Sequence, residues 1–239
     1  KVSIEIARNY YSGLIENDIK DIDGASRDTD KLKAFMRSYA RNISTECSIQ
    51  TLANDIKEYD NKTVSDETIR SYIKALENLY VIEDIKAWSP NLRSKTTIRT
   101  SPTRHFIDPS IACRALGAYK EDLINDLRTF GLIFEDMAIR DLKTYADKLG
   151  GEVYHYRDRN GLEADAIIHL ENGKWAAFEV KLHDSDRIEE GAINLLKLAK
   201  LIDEQKMKKP AFLMVITATE YAYQREDGVW IVPLACLRD

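Results

Sequence analysis

Asp165, Glu179 and Lys181 stand at the spacing D-x13-E-x-K within the stretch Glu163–Leu182. Two carboxylates brought side by side repel, and such a pair calls for a cation. A hard divalent ion with oxygen ligands is the natural one, and Mg2+ or Mn2+ takes one or two carboxylates together with phosphate oxygens. A lysine beside them orients or deprotonates a water, or steadies charge developing on phosphorus. The competing reading of the same residues is a surface hairpin whose polar face carries a Glu–Lys pair at i, i+2.

The chemistry depends on how the hairpin is joined. Two strands flank Asn172-Gly173. A two-residue loop pairs Glu171 with Lys174 and sets Asp165 opposite Val180, on the other face from Glu179 and Lys181. A three-residue loop with Gly173 in the left-handed conformation pairs Leu170 with Lys174 and sets Asp165 opposite Glu179. A one-residue slip moves every side chain to the other face. The three-residue loop collects Ala166, Ile168, Leu170, Ala176, Phe178, Val180 and Leu182 on one face and leaves Asp165, Glu179 and Lys181 together on the other. The expectation is therefore the three-residue loop.

A third acid lies upstream. Gly131–Leu149 has helical periodicity, with Phe134, Ala138, Ile139, Leu142, Tyr145, Ala146 and Leu149 as its apolar stripe. Glu135 falls near the middle of that stripe, while Asp136, Arg140, Lys143 and Asp147 are expected to point away. A carboxylate aimed at a core needs a metal, an arginine or backbone amides.

Helix with Glu, strand with Asp, then Glu-x-Lys resembles the restriction-endonuclease-like core of the PD-(D/E)xK nuclease superfamily. More narrowly, Tyr154–Ile168 (YHYRDRNGLEADAII) followed by Ala177–Lys181 (AFEVK) resembles the DUF4143 family. Phe130–Glu135, Ser101–Ala112 and Glu16–Ile22 extend the likeness over nearly the whole chain. The resemblance implies Glu135, Asp165, Glu179 and Lys181 as nuclease-type catalytic positions, with Asp165, Glu179 and Glu135 as ligands of Mg2+ or Mn2+. Glu163 is a fourth acid beside them. It also implies an AAA-type ATPase domain N-terminal to this region. No G-x-x-x-x-G-K-[ST] phosphate loop occurs in the chain, so ATP enters only through a domain outside it. The first residue is Lys rather than Met, and the expectation is a fragment.

The elements that must carry these residues form two parts. Lys1–Ile22 reads as one or two helices, Lys31–Asn42 as a helix, Cys47–Tyr59 as a helix capped by Ser48, and the next helix starts at the Ser65 cap. The last two make a helix-turn-helix pattern. Ile85–Ile107 then carries Lys86, Arg93, Lys95, Arg99 and Arg104 with no Asp or Glu. That is expected to be a basic wing suited to phosphate, with Arg70 and Lys74 turned outward on the preceding helix. Arg70, Lys74, Arg93, Lys95, Arg99 and Arg104 are thus the nucleic-acid-binding candidates, with DNA the expected ligand. Against this stands the use of many winged helices as protein–protein modules. Asp108–Asn125 reads as a short helix broken at Gly117. After the hairpin come a helix over Arg187–Gln205, a buried strand at Ala211–Thr217 and a last strand at Val229–Cys236, with Pro233 at an edge or bulge.

The fold class expected is mixed α/β. A helical, winged-helix-like domain over residues 1–108 precedes a restriction-endonuclease-like mixed-sheet domain over residues 109–239. The net charge of −5 excludes a wholly basic nucleic-acid glove but allows a local patch. No run of 18 apolar residues and no signal peptide are present, and the three separated cysteines point to a reducing compartment, so a cytoplasmic location with no membrane partner is expected. The function expected is Mg-dependent phosphodiester hydrolysis on nucleic acid. The alternative is an inactive DNA-binding or protein-interaction module that regulates the ATPase, recognisable by a partner or an oligomer.

Overall fold

The computed structural model describes residues 2–19, 28–90, 100–202 and 207–238. The chain forms two compact units. Unit 1 is Lys1–Asp84 with Ser101–Asp136, and unit 2 is Ile85–Thr100 with Met137–Asp239. Unit 1 thus runs on past Asp108.

Unit 1 is helical. Helix α1 (Val2–Gly13) continues into a wider turn over Leu14–Asp18; then come α2 (Thr29–Arg41), α3 (Ile49–Asp60) and α4 (Asp66–Asn78). Next are α5 (Pro109–Leu116), α6 (Lys120–Asn125) and the first part of α7 (Leu127–Lys148). The caps explain the boundaries. Ser48 Oγ accepts the Thr51 amide and Ser65 Oγ the Thr68 amide, each supplying an acceptor to an otherwise orphaned helix-start N–H. Asn61, left-handed at φ 49°, ends α3 and begins the tight connection to α4. The apolar stripes of these helices meet in a core that includes Phe35, Tyr39, Leu52, Ile56, Ile69, Tyr72, Leu76 and Phe106. Helix α5 also packs on α1 and α2.

Unit 2 is a six-stranded sheet with a helix against it. Its strands are β1 (Gly151–Arg157), β2 (Glu163–Leu170), β3 (Trp175–Lys181), β4 (Leu213–Thr217), β5 (Tyr223–Gln224) and β6 (Trp230–Pro233). The order is β1-β2-β3-β4-β6-β5. β1, β2 and β3 are antiparallel neighbours, β3, β4 and β6 run parallel, and β5 returns antiparallel on β6. Helix α8 (Ser185–Leu201), capped by Asp184, is the crossover from β3 to β4 and packs on β2, β3 and β4. Trp175, Ala177, Ile167, Leu195, Leu198 and Val215 form the core under it. The fold class is therefore mixed α/β, a helical N-terminal region followed by a sheet, as the sequence patterning requires.

Two expectations need correcting here. Ile85–Pro90, the start of the basic stretch, belongs to the sheet unit: Ala87 bridges His155 in parallel, and the Trp88 amide donates to the His155 carbonyl at 2.7 Å. The remainder, with Arg93, Lys95, Arg99 and the expected wing strand, lies outside the described residues. Pro233 is the last residue of β6 and pairs with Thr217, beyond the two residues at which β5 adds to that strand. Its missing N–H therefore costs no sheet hydrogen bond on the β5 side. Among the described residues no helix is long and apolar enough to cross a membrane.

Candidate carboxylate–lysine site

The β2–β3 hairpin has the three-residue loop. The Leu170 amide donates to the Lys174 carbonyl at 2.8 Å, the Gly173 amide returns to the Leu170 carbonyl at 2.9 Å, and Gly173 sits at φ +77°. Asn172 Oδ1 accepts the Lys174 amide at 2.9 Å. The ladder then runs His169–Trp175, Ile168–Ala176, Ile167–Ala177 and Ala166–Phe178. The ladder ends there, and Asp165 and Glu179 are the next residues of the two strands.

A bulge shapes that end. Between Tyr154 and Tyr156 the β1–β2 register shifts, so that Asp165 and Ala166 together face the single residue His155. Bulges break the ladder locally and re-aim side chains. Here the Val180 amide donates to Asp165 Oδ2 at 2.7 Å. The acid is thereby held against β3 by a backbone donor. No pattern in the sequence announces this extra residue.

Lys181 joins the two acids. Its Nζ lies 2.5 Å from Glu179 Oε2 and 3.2 Å from Asp165 Oδ2. The three side chains grade in exposure: Lys181 22 %, Asp165 14 %, Glu179 2 %. Glu179 is the deep member, and its Oε1 is buried with no hydrogen-bond partner. Burial and then the neighbouring Asp165 charge push its carboxyl well above the ordinary glutamate range, although Lys181 pulls the other way.

Helix α8 closes over this pair through a glycine. A Cβ at Gly191 would stand 3.3 Å from Glu179 Cβ and 3.6 Å from Lys181 Cε. A larger residue at position 191 therefore presses on Glu179 and comes into contact with Lys181. Gly191 is a site residue that the sequence reading passed over. The signal was available as an isolated glycine inside a strong amphipathic helix, where it costs roughly 1 kcal/mol relative to alanine.

The other candidates differ in their relation to this site. Glu163 is exposed and pairs with Arg157 at 3.4 Å, and its charge adds to the upward push on the Glu179 carboxyl. Glu135 is a half-buried residue of α7 within unit 1. The acid expected to point away from that helix, Asp136, is instead fully buried. Its Oδ1 accepts the Phe106 amide at 3.0 Å and lies 3.0 Å from His105 Nδ1. Those two contacts on Oδ1 tie the acid into the core. Leu149, placed on the apolar stripe, is exposed.

Arg70 and Lys74 are exposed on α4, as expected of a phosphate-facing surface. Arg104 is not. It is 3 % exposed, its Nε and Nη2 donate to the Cys47 carbonyl at 2.9 and 2.7 Å, and Nη1 pairs with Asp84. Its guanidinium is consumed in holding unit 1 together.

The chemistry of the donor set suits a small divalent cation: two carboxylates converge, one with a bare buried oxygen. Among the described residues no group of three or more His, Cys, Asp or Glu is arranged to hold a metal ion. A cation here would rest on two protein carboxylates and complete its shell with water or substrate oxygens, as Mg2+ commonly does.

Comparison with curated proteins finds no match. Among solved structures, a chain from a refined half-complex of a tetradecameric assembly of Thermococcus gammatolerans McrB AAA+ hexamers with bound McrC is 13 % identical. That likeness covers 84 % of this chain and 70 % of that one at a TM-score of 0.29, too low to argue from. Residues 130–237 match the family model of a domain of unknown function, DUF4143. The likeness to DUF4143 is thus narrower than the sequence reading made it, because Glu16–Ile22 and Ser101–Ala112 fall in a second match. That second model, a domain of unknown function, DUF8612, covers residues 1–122, just over half of the 239, and the chain belongs to the DUF8612 family.

Proposed function

We propose that unit 2 is a metal-dependent phosphodiesterase acting on nucleic acid. The observation that carries this reading is Glu179: a carboxylate with one bare, buried oxygen, facing Asp165 and touching Lys181. A purely structural acid at such depth normally has its oxygens satisfied. Asp165 and Glu179 would hold Mg2+ or Mn2+, which supplies Lewis-acid polarisation of a phosphoryl oxygen when bound. Lys181, the most exposed of the three, would hold a water by hydrogen bond and steady the charge developing on phosphorus. The Val180 amide fixes Asp165 throughout. DNA is the proposed substrate, with the exposed Arg70 and Lys74 as phosphate contacts. The DUF4143 resemblance supports placement C-terminal to an AAA-type ATPase.

One observation favours the other reading. The Lys181 ammonium already pairs with both acids, as in a static ion-pair cluster. In that case the chain is a protein-interaction module without turnover.

Titration calorimetry with Mn2+ separates the two. The functional reading expects binding by the unaltered protein, loss of binding in Asp165→Ala and Glu179→Ala, and Mg2+-dependent cleavage that both variants lack. Equal heats from all three proteins would end it. For α4, Arg70→Glu with Lys74→Glu is expected to weaken duplex binding at low salt; unchanged binding removes that helix from the surface.

A further inference from the structure

We infer that Lys181 is the site's own internal counter-ion, which a divalent cation must displace before the site is loaded. The inference rests on the metal-site reading above and adds to it a competition between side chain and metal.

Lys181 stands where an ion bridging the two carboxylates would stand, on one oxygen of each acid. Its Nζ is 2.5 Å from Glu179 Oε2 and 3.2 Å from Asp165 Oδ2. A Mg2+ ion binds oxygens at about 2.1 Å, so ion and ammonium cannot share the space between the carboxylates. Charge favours the exchange. Two carboxylates and an ammonium leave one uncompensated negative charge; two carboxylates and a divalent ion leave none. Glu179 gains more than Asp165, because solvent does not reach it and its Oε1 has no partner while the ammonium holds Oε2.

The geometry also provides a way out for the displaced side chain. Lys181 keeps 22 % of its surface exposed, against 2 % for Glu179. The lysine stem lies beside Gly191 of α8, where a Cβ would stand 3.6 Å from Cε. Once displaced, the ammonium is freed next to the metal, where the proposed reaction uses it. Binding the metal and releasing the lysine are then one event.

The sign of the prediction is unusual. Removing a residue of the reaction machinery improves metal affinity. At pH 8, Mn2+ titrated into Lys181→Met binds about tenfold more tightly than into the unaltered protein, although the variant does not cleave. Asp165→Ala binds neither well. A second readout needs no variant: acetylation of Lys181, followed by mass spectrometry, is faster with Mg2+ present than without. Equal or weaker Mn2+ affinity in Lys181→Met, with unchanged acetylation, overturns the displacement while wild-type binding leaves the metal site standing. Absence of Mn2+ binding in both proteins overturns the two together. If Lys181→Met does not fold, the acetylation rate decides alone: faster supports displacement, unchanged refutes it.

Discussion

Each unit of this protein holds a cation between acceptors, and the two arrangements differ in what they leave over. In unit 1, Arg104 spends its guanidinium on the Cys47 carbonyl and on Asp84, and Asp84 also takes the Tyr39 hydroxyl at 2.5 Å. In unit 2, Lys181 holds two carboxylates with a single ammonium, and a carboxylate oxygen stays bare. The planar fork of arginine matches several acceptors at once, whereas the ammonium of lysine is a compact point charge. A closed network of the first kind fixes a fold. An open one of the second kind keeps an acceptor for a further partner.

Breaking the closed network is expected to have the largest effect on stability. Arg104→Met leaves Asp84 without its cation and the Cys47 carbonyl without donors. Loss of one partner from a buried pair costs about 3–5 kcal/mol. For a chain of this length that lowers the melting temperature by roughly 10 °C. The Cys47 thiol reports on the same network. Burial pushes it up to about 11, so it resists labelling at pH 8 in the unaltered protein. Arg104 pulls the thiol the other way, so Arg104→Met raises it further and labelling at pH 8 stays slow as long as the variant is folded. A variant that melts with the unaltered protein would show the network to be ornamental.

The contrast also explains what was readable before the structure. The helix starts were legible because Ser48 and Ser65 are local caps. The hairpin register was legible because only one loop length sorts Ala166, Ile168 and Phe178 from Asp165, Glu179 and Lys181. Residues whose roles depend on distant partners were not. Asp136 looked solvent-facing because its burial depends on His105 and the Phe106 amide, some thirty positions earlier. Arg104 looked like a phosphate contact because nothing local marks Asp84 and the Cys47 carbonyl as its partners. The bulge at Asp165 arises from strand pairing with β1, a strand the sequence reading did not separate.

Relieving the open network is expected to act in the opposite direction and more weakly. The Glu179 carboxyl titrates above its ordinary value of 4.5 because burial and Asp165 oppose its charge. A group that binds its proton more tightly when folded adds stability below about pH 4.5 and loses it as the pH rises through the folded value. Glu179→Gln mimics the protonated acid at every pH. Its melting temperature should match that of the unaltered protein near pH 4 and exceed it at pH 8, by the equivalent of about 1 kcal/mol. The same variant should lose Mn2+ binding. A melting temperature that falls at pH 8 would mean that the Lys181 pair stabilises the fold, and the two networks would then be of one kind.

The smallest net effect is expected at Gly191, where two terms oppose. Alanine in a helix interior is favoured over glycine by about 1 kcal/mol. The added Cβ would meet Glu179 Cβ at 3.3 Å and Lys181 Cε at 3.6 Å, so one side chain must give by a few tenths of an ångström. Stability therefore changes little in Gly191→Ala. Mn2+ affinity changes more, because a shift of that size misaligns Glu179 and crowds the stem that Lys181 must swing. Calorimetry beside a thermal melt separates the two quantities. An affinity loss of severalfold at an unchanged melting temperature marks the open network as built for a ligand. Equal affinity would show that α8 merely covers the sheet, and the bare Glu179 oxygen would need another explanation.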